Sequence, residues 1–189
     1  MNKLYSVVAS VVLLTGCSYK NEAIELSSYK TQYLGQTAYD KSSVFLSSVT
    51  DIREDKNSIG YVEGNGQVTT KLYSYVNFAD RYRDALARVL KVAKFNLANS
   101  PADASTKIDV KIKDIQLVYN DTNKFDENLN GKIIIEVTLT KAGKVNVLAF
   151  TQKQGIWIKP SYTSKDVEPF LDTLFSDSIN DIVTKLANQ

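Results

Sequence analysis

The clearest structural signal in the sequence is "KIDVKIKDIQLVY", residues 107–119. Apolar residues occupy every second position from Ile108 to Ile112, with charged residues between them, as in a strand with one buried face. The apolar phase then shifts by one residue and resumes at Ile115, which predicts a β-bulge near Lys113-Asp114. We therefore expect a long strand with its apolar side on a core and its polar side toward solvent.

Other segments have the composition of strands, and these are residues 43–52, 68–76, 131–140 and 145–158. The second of them reads as an edge strand, and the last two form a hairpin with a tight turn at Lys141–Lys144. Between the first two, residues 53–67 are rich in charge, Asn and Gly, which predicts a loop or a hairpin tip.

Two segments show the three- or four-residue apolar spacing of an amphipathic helix. The first begins after Asn77, a good N-cap, and its apolar stripe continues to Leu97. The second is capped by Ser164 or Asp166. The elements together predict an α+β fold of two layers, with a mixed, mostly antiparallel sheet and two amphipathic helices on one face.

The first residues have the layout of a secretory signal. Lys3 gives a positive start, and residues 4–14 are uncharged and mostly apolar. This apolar run is shorter than the roughly 20 residues that span a bilayer. The sequence Leu14-Thr15-Gly16-Cys17 resembles the bacterial lipobox, in which the cysteine is acylated and the chain is cut before it. We therefore expect lipid attachment at Cys17.

This signal predicts the organisation of the chain. Residues 1–16 would be the signal peptide, residues 17–42 a lipidated tether, and residues 43–189 a single periplasmic α+β domain. Tyrosines of the tether would either dock on a partner or pack the tether onto the domain. Two or more acyl chains anchor a protein stably, so the membrane is an expected partner. Ser18, where an Asp would retain an enteric lipoprotein in the inner membrane, favours the outer membrane.

Missing residue types limit the chemistry. The 189 residues contain no His and one Cys, which excludes Ser-His-Asp and Cys-His nucleophiles, His/Cys zinc sites and internal disulfides. The formal net charge of +2 leaves no basic footprint for nucleic acid. Neither a cofactor nor a small-molecule substrate is indicated.

The segment "VTDIREDKNSIGYVEG", residues 49–64, is similar to the Val-x-Asp-x-Arg and Ile-Gly pattern of YajG-type bacterial outer-membrane lipoproteins. The helix containing "LARVL" and the alternating strands follow in the same order, so the resemblance spans residues 43–187. It implies the α+β fold and an envelope location, and that family has no established activity to carry over.

The same segment holds the first candidate site. Asp51 and Arg53 lie two residues apart on one face of a strand end. As a structural pair they would hold the Ile59-Gly60 loop by charge-assisted hydrogen bonds, and as a functional pair they would face a partner. Tyr61, an aromatic residue beside a glycine-rich tip, is the stronger candidate for partner contact.

A second candidate is a loop that partly matches a calcium EF-hand. Asp126, Asn128 and Asn130 fall on its first three ligand positions. Glu136, however, lies at loop position 11 and not at position 12, where an EF-hand has its bidentate Glu. The segment also continues into a strand and not into a helix. We therefore expect an ordinary turn and no metal.

A third candidate is the polar face of the first helix, which carries Arg81, Arg88, Lys91 and Lys94. A solvated helix face is the ordinary interpretation. The alternative is contact with anionic head groups of phospholipid or lipopolysaccharide.

The sequence as a whole predicts a non-catalytic lipoprotein of the bacterial cell envelope, facing the periplasm from the outer membrane. It would serve as an accessory or binding module for a protein complex or a glycan polymer. Two alternatives are a surface-exposed adhesin with the same anchor and a hydrolase that uses paired carboxylates.

Overall fold

The computed structural model describes residues 23–30, 32–38 and 43–188. The strands are β1 (Ser43–Asp51), β2 (Ser58–Gly64), β3 (Gln67–Tyr73), β4 (Asn96–Leu97), β5 (Thr106–Asn120), β6 (Leu129–Lys141) and β7 (Lys144–Ile156). The helices are α1 (Phe78–Val92) and α2 (Ser164–Ala187), and a short 3₁₀ turn covers Pro101–Asp103. The predicted α+β class is confirmed, because both helices accompany a mixed seven-stranded sheet.

The sheet is built around β5. Strand β6 pairs with it antiparallel from Thr106–Lys141 to Tyr119–Leu129. On the other edge, β1 pairs in parallel with the first half of β5, and β2 pairs in parallel with residues 117–120. Two strands share one edge of β5 because this strand is 15 residues long. Strand β3 extends the sheet beyond β2, β4 extends it beyond β1, and β7 extends it beyond β6.

The bulge predicted near Lys113-Asp114 is confirmed. The register between β5 and β6 shifts between Ile112 and Asp114. The extra residue returns the apolar positions that begin at Ile115 to the buried face of the sheet. One strand therefore keeps a single apolar side along its whole length.

The hairpin turn predicted at Lys141–Lys144 is also confirmed. Ala142 and Gly143 have φ angles of 48° and 76°, and Lys141 pairs with Lys144. Positive φ at both central residues is the two-residue turn that matches the twist of the flanking strands.

The loop or hairpin tip predicted at residues 53–67 is confirmed in part. Its second half is not a loop, because it forms β2 and the tip of the hairpin that joins β2 to β3. Ile59 and Val62 are buried, so β2 contributes to the core despite its glycines and charges. The turn itself is Asn65-Gly66, with φ angles of 51° and 75°. Asn-Gly is the preferred pair for this turn, so the sequence did contain the hairpin signal.

Both helices lie against the apolar face of the sheet. They meet where the Tyr82 ring packs edge-on against Phe175, with centroids 4.6 Å apart. The Tyr82 hydroxyl also shares a hydrogen bond with Ser178. Burial raises the pKa of Tyr82, so this hydroxyl stays protonated at physiological pH.

The start of α2 corrects the predicted cap. Thr163, not Ser164 or Asp166, is the N-cap residue. Asp166 is its reciprocal partner, and its Oδ2 accepts the Thr163 backbone N–H at 2.8 Å. This hydrogen bond, with Lys159 nearby, holds the pKa of Asp166 below its usual value.

The end of α1 also differs from the sequence interpretation, since the helix stops at Val92 and not at Leu97. Lys94 has a φ of 68°, and the Phe95 backbone N–H donates to the Leu90 carbonyl at 3.0 Å. This is a Schellman stop, which usually uses glycine, so a lysine there gave no sequence signal. The chain then turns back and supplies β4.

The segment predicted as a tether, residues 17–42, is packed where it is described. We call residues 23–30 and 32–38 the strap. Ile24 and Leu26 are buried among core residues, and the Tyr29 hydroxyl donates to Asn180 Oδ1 of α2 at 2.6 Å. Residues 23–30 are not a loose coil, because Ile24, Leu26 and Tyr29 are covered by the domain, whereas Leu34 further along the strap is exposed. Cys17 and residues 39–42 lie outside the described residues.

Neither helix in the described part of the chain has the length and apolarity needed to cross a membrane. The helices are instead amphipathic elements that cover the sheet.

Replacing Lys94 with Gly is expected to raise the free energy of unfolding by about 0.5 to 1 kcal/mol, because glycine adopts the left-handed conformation without strain. Urea melts measure this change. Lys91→Gly, in the last turn of the same helix, is the matched control and should lower stability by about 1 kcal/mol. Equal losses in both variants would contradict the left-handed stop.

Candidate functional site

Asp51 and Arg53 form a buried ion pair at the end of β1. Their side chains are 8% and 5% exposed, and Arg53 Nη2 lies 2.7 Å from Asp51 Oδ2. Arg53 Nε donates to Asp51 Oδ1 at 3.0 Å, which makes the contact two-pronged. The Arg53 backbone N–H donates to the same carboxylate at 3.1 Å.

The Arg53 guanidinium also connects three separate elements. Its Nη1 donates to the Ser58 carbonyl at 2.9 Å, and its Nη2 donates to the Lys56 carbonyl at 2.7 Å. Its carbon lies 5.1 Å from the centre of the Phe78 ring at the start of α1. The pair therefore fixes the turn before β2 and the first residue of α1, as its structural interpretation expects.

Gly60 explains why a glycine follows this pair. Its φ is 152°, and a Cβ atom added there would lie 1.9 Å from the Leu117 carbonyl oxygen of β5. The β2–β3 register shifts between Ser58 and Gly60, so the backbone of β2 approaches β5 closely at an irregular position. Only a residue without Cβ fits, which gives the Ile59-Gly60 motif a physical cause.

Tyr61 lies next to this buried clamp and is half-buried itself. It pairs with Val118 of β5 and lines a shallow cleft of about 270 Å³ together with Lys113 and Asp114. Asp51 and Arg53 offer little surface to a partner, whereas Tyr61 keeps part of its ring accessible. Partner contact at Tyr61 stays a prediction.

The solvent-facing side of the sheet carries paired charges. Glu136 of β6 accepts hydrogen bonds from Lys111 and Lys113 of β5 at 3.3 and 3.2 Å. These ammonium groups hold the pKa of Glu136 below its usual value, with Lys113 contributing most. Lys132 pairs with Asp114 at 2.8 Å. These charged side chains on the polar face therefore form ion pairs with one another.

The four basic residues predicted on α1 do not share one role. Arg81 is half-buried, and its Nη1 donates to Ser28 Oγ of the strap at 3.2 Å. Lys94 forms the helix stop, while Arg88 and Lys91 are exposed. The predicted head-group surface thus reduces to exposed residues near the end of the helix, and contact with anionic lipids there stays a prediction.

The calcium-like loop uses its central residue for another purpose. Asn128 is fully buried, its Nδ2 donates to the Ile158 carbonyl at 2.8 Å, and its Oδ1 accepts the Ile158 N–H at 2.8 Å. The oxygen that a cation would need is therefore occupied. Asp126 and Asn130 are exposed. Within the described ranges no group of three or more His, Cys, Asp or Glu side chains is placed to hold a metal ion.

Sequence reasoning missed a cavity at the opposite end of the domain from the calcium-like loop. It has a volume of about 390 Å³ and lies where both helices end, beside the β6–β7 turn. Its lining residues come from five separate segments of the chain, and they include Val44, Phe95, Ile108, Leu139, Lys144 and Leu186. Each of them reads as an ordinary core or turn residue, so local patterns gave no signal for it.

A two-layer α+β domain that follows a lipobox-like sequence is typical of bacterial lipid-anchored envelope proteins. The chain belongs to the family described as "Uncharacterized lipoprotein", whose model matches residues 33–186. This supports the lipoprotein part of the predicted resemblance, while the YajG subtype stays a prediction. No curated protein matches the chain.

Two solved structures share the fold. One is a crystal structure of an uncharacterized protein, with a TM-score of 0.53 and 13% identity over 86% of this chain and 99% of that chain. The other is a protein from Xanthomonas campestris, with a TM-score of 0.55 and 12% identity over 87% of this chain and 90% of that chain. At such low identity the similarity establishes architecture alone.

Arg53→Ala is expected to lower the free energy of unfolding by about 3 kcal/mol, because the Asp51 carboxylate is then buried without its cation. Urea melts give this value. Arg88→Ala, on the exposed side of α1, is the control and should change stability by no more than about 0.5 kcal/mol. A loss below about 1 kcal/mol for Arg53→Ala would contradict the clamp.

Asn128→Ala is expected to cost about 1 to 3 kcal/mol, since both backbone groups of Ile158 lose their partner. Asp126→Ala, in the same loop but exposed, should change stability by about 0.5 kcal/mol at most. Millimolar calcium is expected to shift the wild-type melting temperature by only about 1 or 2 °C. A larger rise that disappears in Asp126→Ala would show a calcium site, because a ligand of the native state stabilises it.

Proposed function

We propose that the protein is a non-catalytic accessory module of the bacterial envelope, anchored by lipid at Cys17 and facing the periplasm from the outer membrane. Its partner would be an envelope protein complex or a glycan polymer. The observation that carries this proposal is the strap, because its packing would limit the distance and the orientation of the domain relative to a lipid at Cys17.

The strap leaves a short connection to the lipid. Its packing begins at Ile24, whose backbone N–H donates to the Tyr73 carbonyl at 2.8 Å. Only residues 18–22 separate Cys17 from Ala23, and this length of chain reaches about 20 Å when fully extended. A domain held on so short a connection would stay beside the membrane surface.

The direction of the strap supports one orientation. It starts near the first turns of α2, where the Glu25 N–H donates to Glu168 Oε1 at 3.3 Å. It ends near the last turn of α1, where the Ala38 N–H donates to the Ala93 carbonyl at 2.8 Å. Helix α2 has 24 residues and is therefore about 36 Å long. The N-terminal ends of both helices would face the membrane, and their C-terminal ends would face away.

Exposed aromatic residues support the same orientation. Tyr75, Phe125 and Trp157 are 76%, 91% and 50% exposed, and all belong to segments near the N-terminal end of α2 or the start of the strap. Trp157 Nε1 donates to the Lys124 carbonyl at 3.0 Å, which holds its ring beside the loop that carries Phe125. Trp and Tyr side chains are enriched at the membrane–water interface. This aromatic end would rest at the lipid surface.

An accessory role suits the remaining surface. The buried clamp at Asp51 and the paired charges around Glu136 serve stability, since their polar groups already have partners within the domain. Tyr61 beside the clamp would be presented to a partner from the polar side of the sheet. Binding, and not turnover, is the activity that these residues support.

Trp157 is the only tryptophan and reports directly on the proposed orientation. In vesicles that contain brominated phosphatidylcholine, the lipidated protein is expected to show quenched tryptophan fluorescence, because bromine quenches at contact range. Inserting about 20 Gly and Ser residues between Lys20 and Asn21 should remove most of this quenching, since the connection then reaches several tens of ångströms. Fluorescence that bromine leaves unchanged in the wild type would contradict the orientation.

Cys17→Ser is the control for the anchor. This variant should not be labelled with palmitate, and the protein should be released from the membrane fraction. Protease treatment of intact cells distinguishes the periplasmic location from that of a surface adhesin, because only the adhesin would be cut.

A photo-crosslinking residue at Tyr61 is expected to capture the partner, and one at Arg88 serves as the matched exposed control. Equal capture at both positions would overturn the assignment of Tyr61.

A further inference from the structure

The cavity at the C-terminal end of the helices is apolar inside. The sheet supplies its floor through Val44, Ile108 and Leu139, and Phe95 and Leu186 close it from the helix side. These five side chains belong to the buried core or its margin. The polar groups among its lining residues lie toward the β6–β7 turn. A volume of about 390 Å³ falls within the range of about 300–1,000 Å³ typical of small-molecule sites.

Two lysines stand at the mouth of this cavity on the same side of the sheet as its floor. Lys141 pairs with Lys144 across the turn, and the next pair on this face is Leu139 with Asn146. Directly paired residues of antiparallel strands point to the same face of the sheet. Both lysines therefore lie on the face that forms the cavity floor, at its solvent-exposed end. Neither lysine has an ion-pair partner among the described residues, unlike Lys111, Lys113 and Lys132.

We propose that this cavity binds a single acyl chain of an anionic amphiphile and that Lys141 and Lys144 hold its head group. The apolar interior takes the chain, because removing each methylene group from water is favourable. The two ammonium groups at the mouth take the negative charge. A sugar or a peptide would need many more polar partners than Thr106 and Asn146 provide.

The bound chain comes from outside the molecule. The strap begins about one α2 length away from the cavity, and Cys17 precedes the strap by the short connection of residues 18–22. An acyl chain on Cys17 that is inserted in the membrane therefore lies at the other end of the domain. This exclusion rests on the proposed anchor geometry, whereas binding to the cavity does not.

Both helices end at this mouth, where their last carbonyl groups carry partial negative charge. A purely structural role for the lysines would be to offset this charge. That role predicts a loss of stability when the lysines are neutralised, but no preference for an anionic over a neutral amphiphile. The two roles are therefore separable by the choice of ligand.

The experiment uses the mature lipidated protein in phosphatidylcholine nanodiscs and a myristic acid that carries a photoreactive diazirine near its methyl end. Saturable labelling is expected on peptides that contain Phe95, Ile108 or Leu186, mapped by mass spectrometry. Unlabelled myristate should compete at least about tenfold better than myristyl alcohol, which has the same chain without the charge. Lysophosphatidylglycerol as a second competitor distinguishes a phospholipid source from a free fatty acid.

Matched variants separate binding from folding. Asn146→Trp places a large ring over the cavity from an exposed edge position and should reduce labelling at least about tenfold. Val147→Trp, the next residue on the opposite face of β7, should leave labelling unchanged. The Lys141→Gln/Lys144→Gln pair should remove the advantage of myristate over the alcohol, and Lys153→Gln on the outer face should not.

Four results would overturn the proposal. Two concern the label: equal labelling of Asn146→Trp and Val147→Trp, and labels confined to the outer face of the sheet. Two concern the competitors: equal competition by myristate and myristyl alcohol in the wild type, and no competition by either anionic compound. The quenching of Trp157 reports on the anchor alone, so the orientation and the cavity can each fail without the other.

Discussion

The other elements of the fold are arranged around β5, whose apolar alternation continues across a single bulge. The register shift between Ile112 and Asp114 keeps the apolar residues before and after the bulge on the same face of the sheet. The whole 15-residue strand can therefore line one continuous core. Both helices cover that face, and the six other strands join the sheet through β5 or its neighbours. Without the bulge the second half of β5 would turn its apolar residues to solvent, and β2 would have no place to pair.

The elements that depend on local pattern could be predicted, and those that depend on distant partners could not. The alternation around Ile108 and the turn at Ala142-Gly143 are properties of neighbouring residues, so the sequence shows them directly. The end of α1 was missed because Lys94 occupies a left-handed position that only its tertiary setting enforces. Packing of the strap was anticipated only as an alternative, through the tyrosines of the tether. The burial of Ile24 and Leu26 was missed, because residues of α2 that hold this segment lie far along the chain.

The candidate site likewise has features that the local sequence predicts and features that depend on distant residues. The two-residue spacing of Asp51 and Arg53 indicated a pair on one face, and the structure places them in contact. The ring of Phe78 under the guanidinium and the close approach that requires Gly60 could not be read from spacing, because both involve elements that the sequence separates. The apolar cavity is the extreme case, since no two of its walls come from the same local pattern.

The strap has a consequence for the order in which the protein folds. Its backbone hydrogen bonds to Glu168 and Asp172 join residues 143 and 145 positions apart, which are among the longest sequence separations in the fold. In the proposed export of the chain, N-terminus first, the strap would emerge early and α2 last, so these contacts would close only after export is complete. The proposed lipid-bearing Cys17 would therefore be free of the domain while it is processed. Docking of the strap would then shorten the connection between that anchor and the domain to residues 18–22.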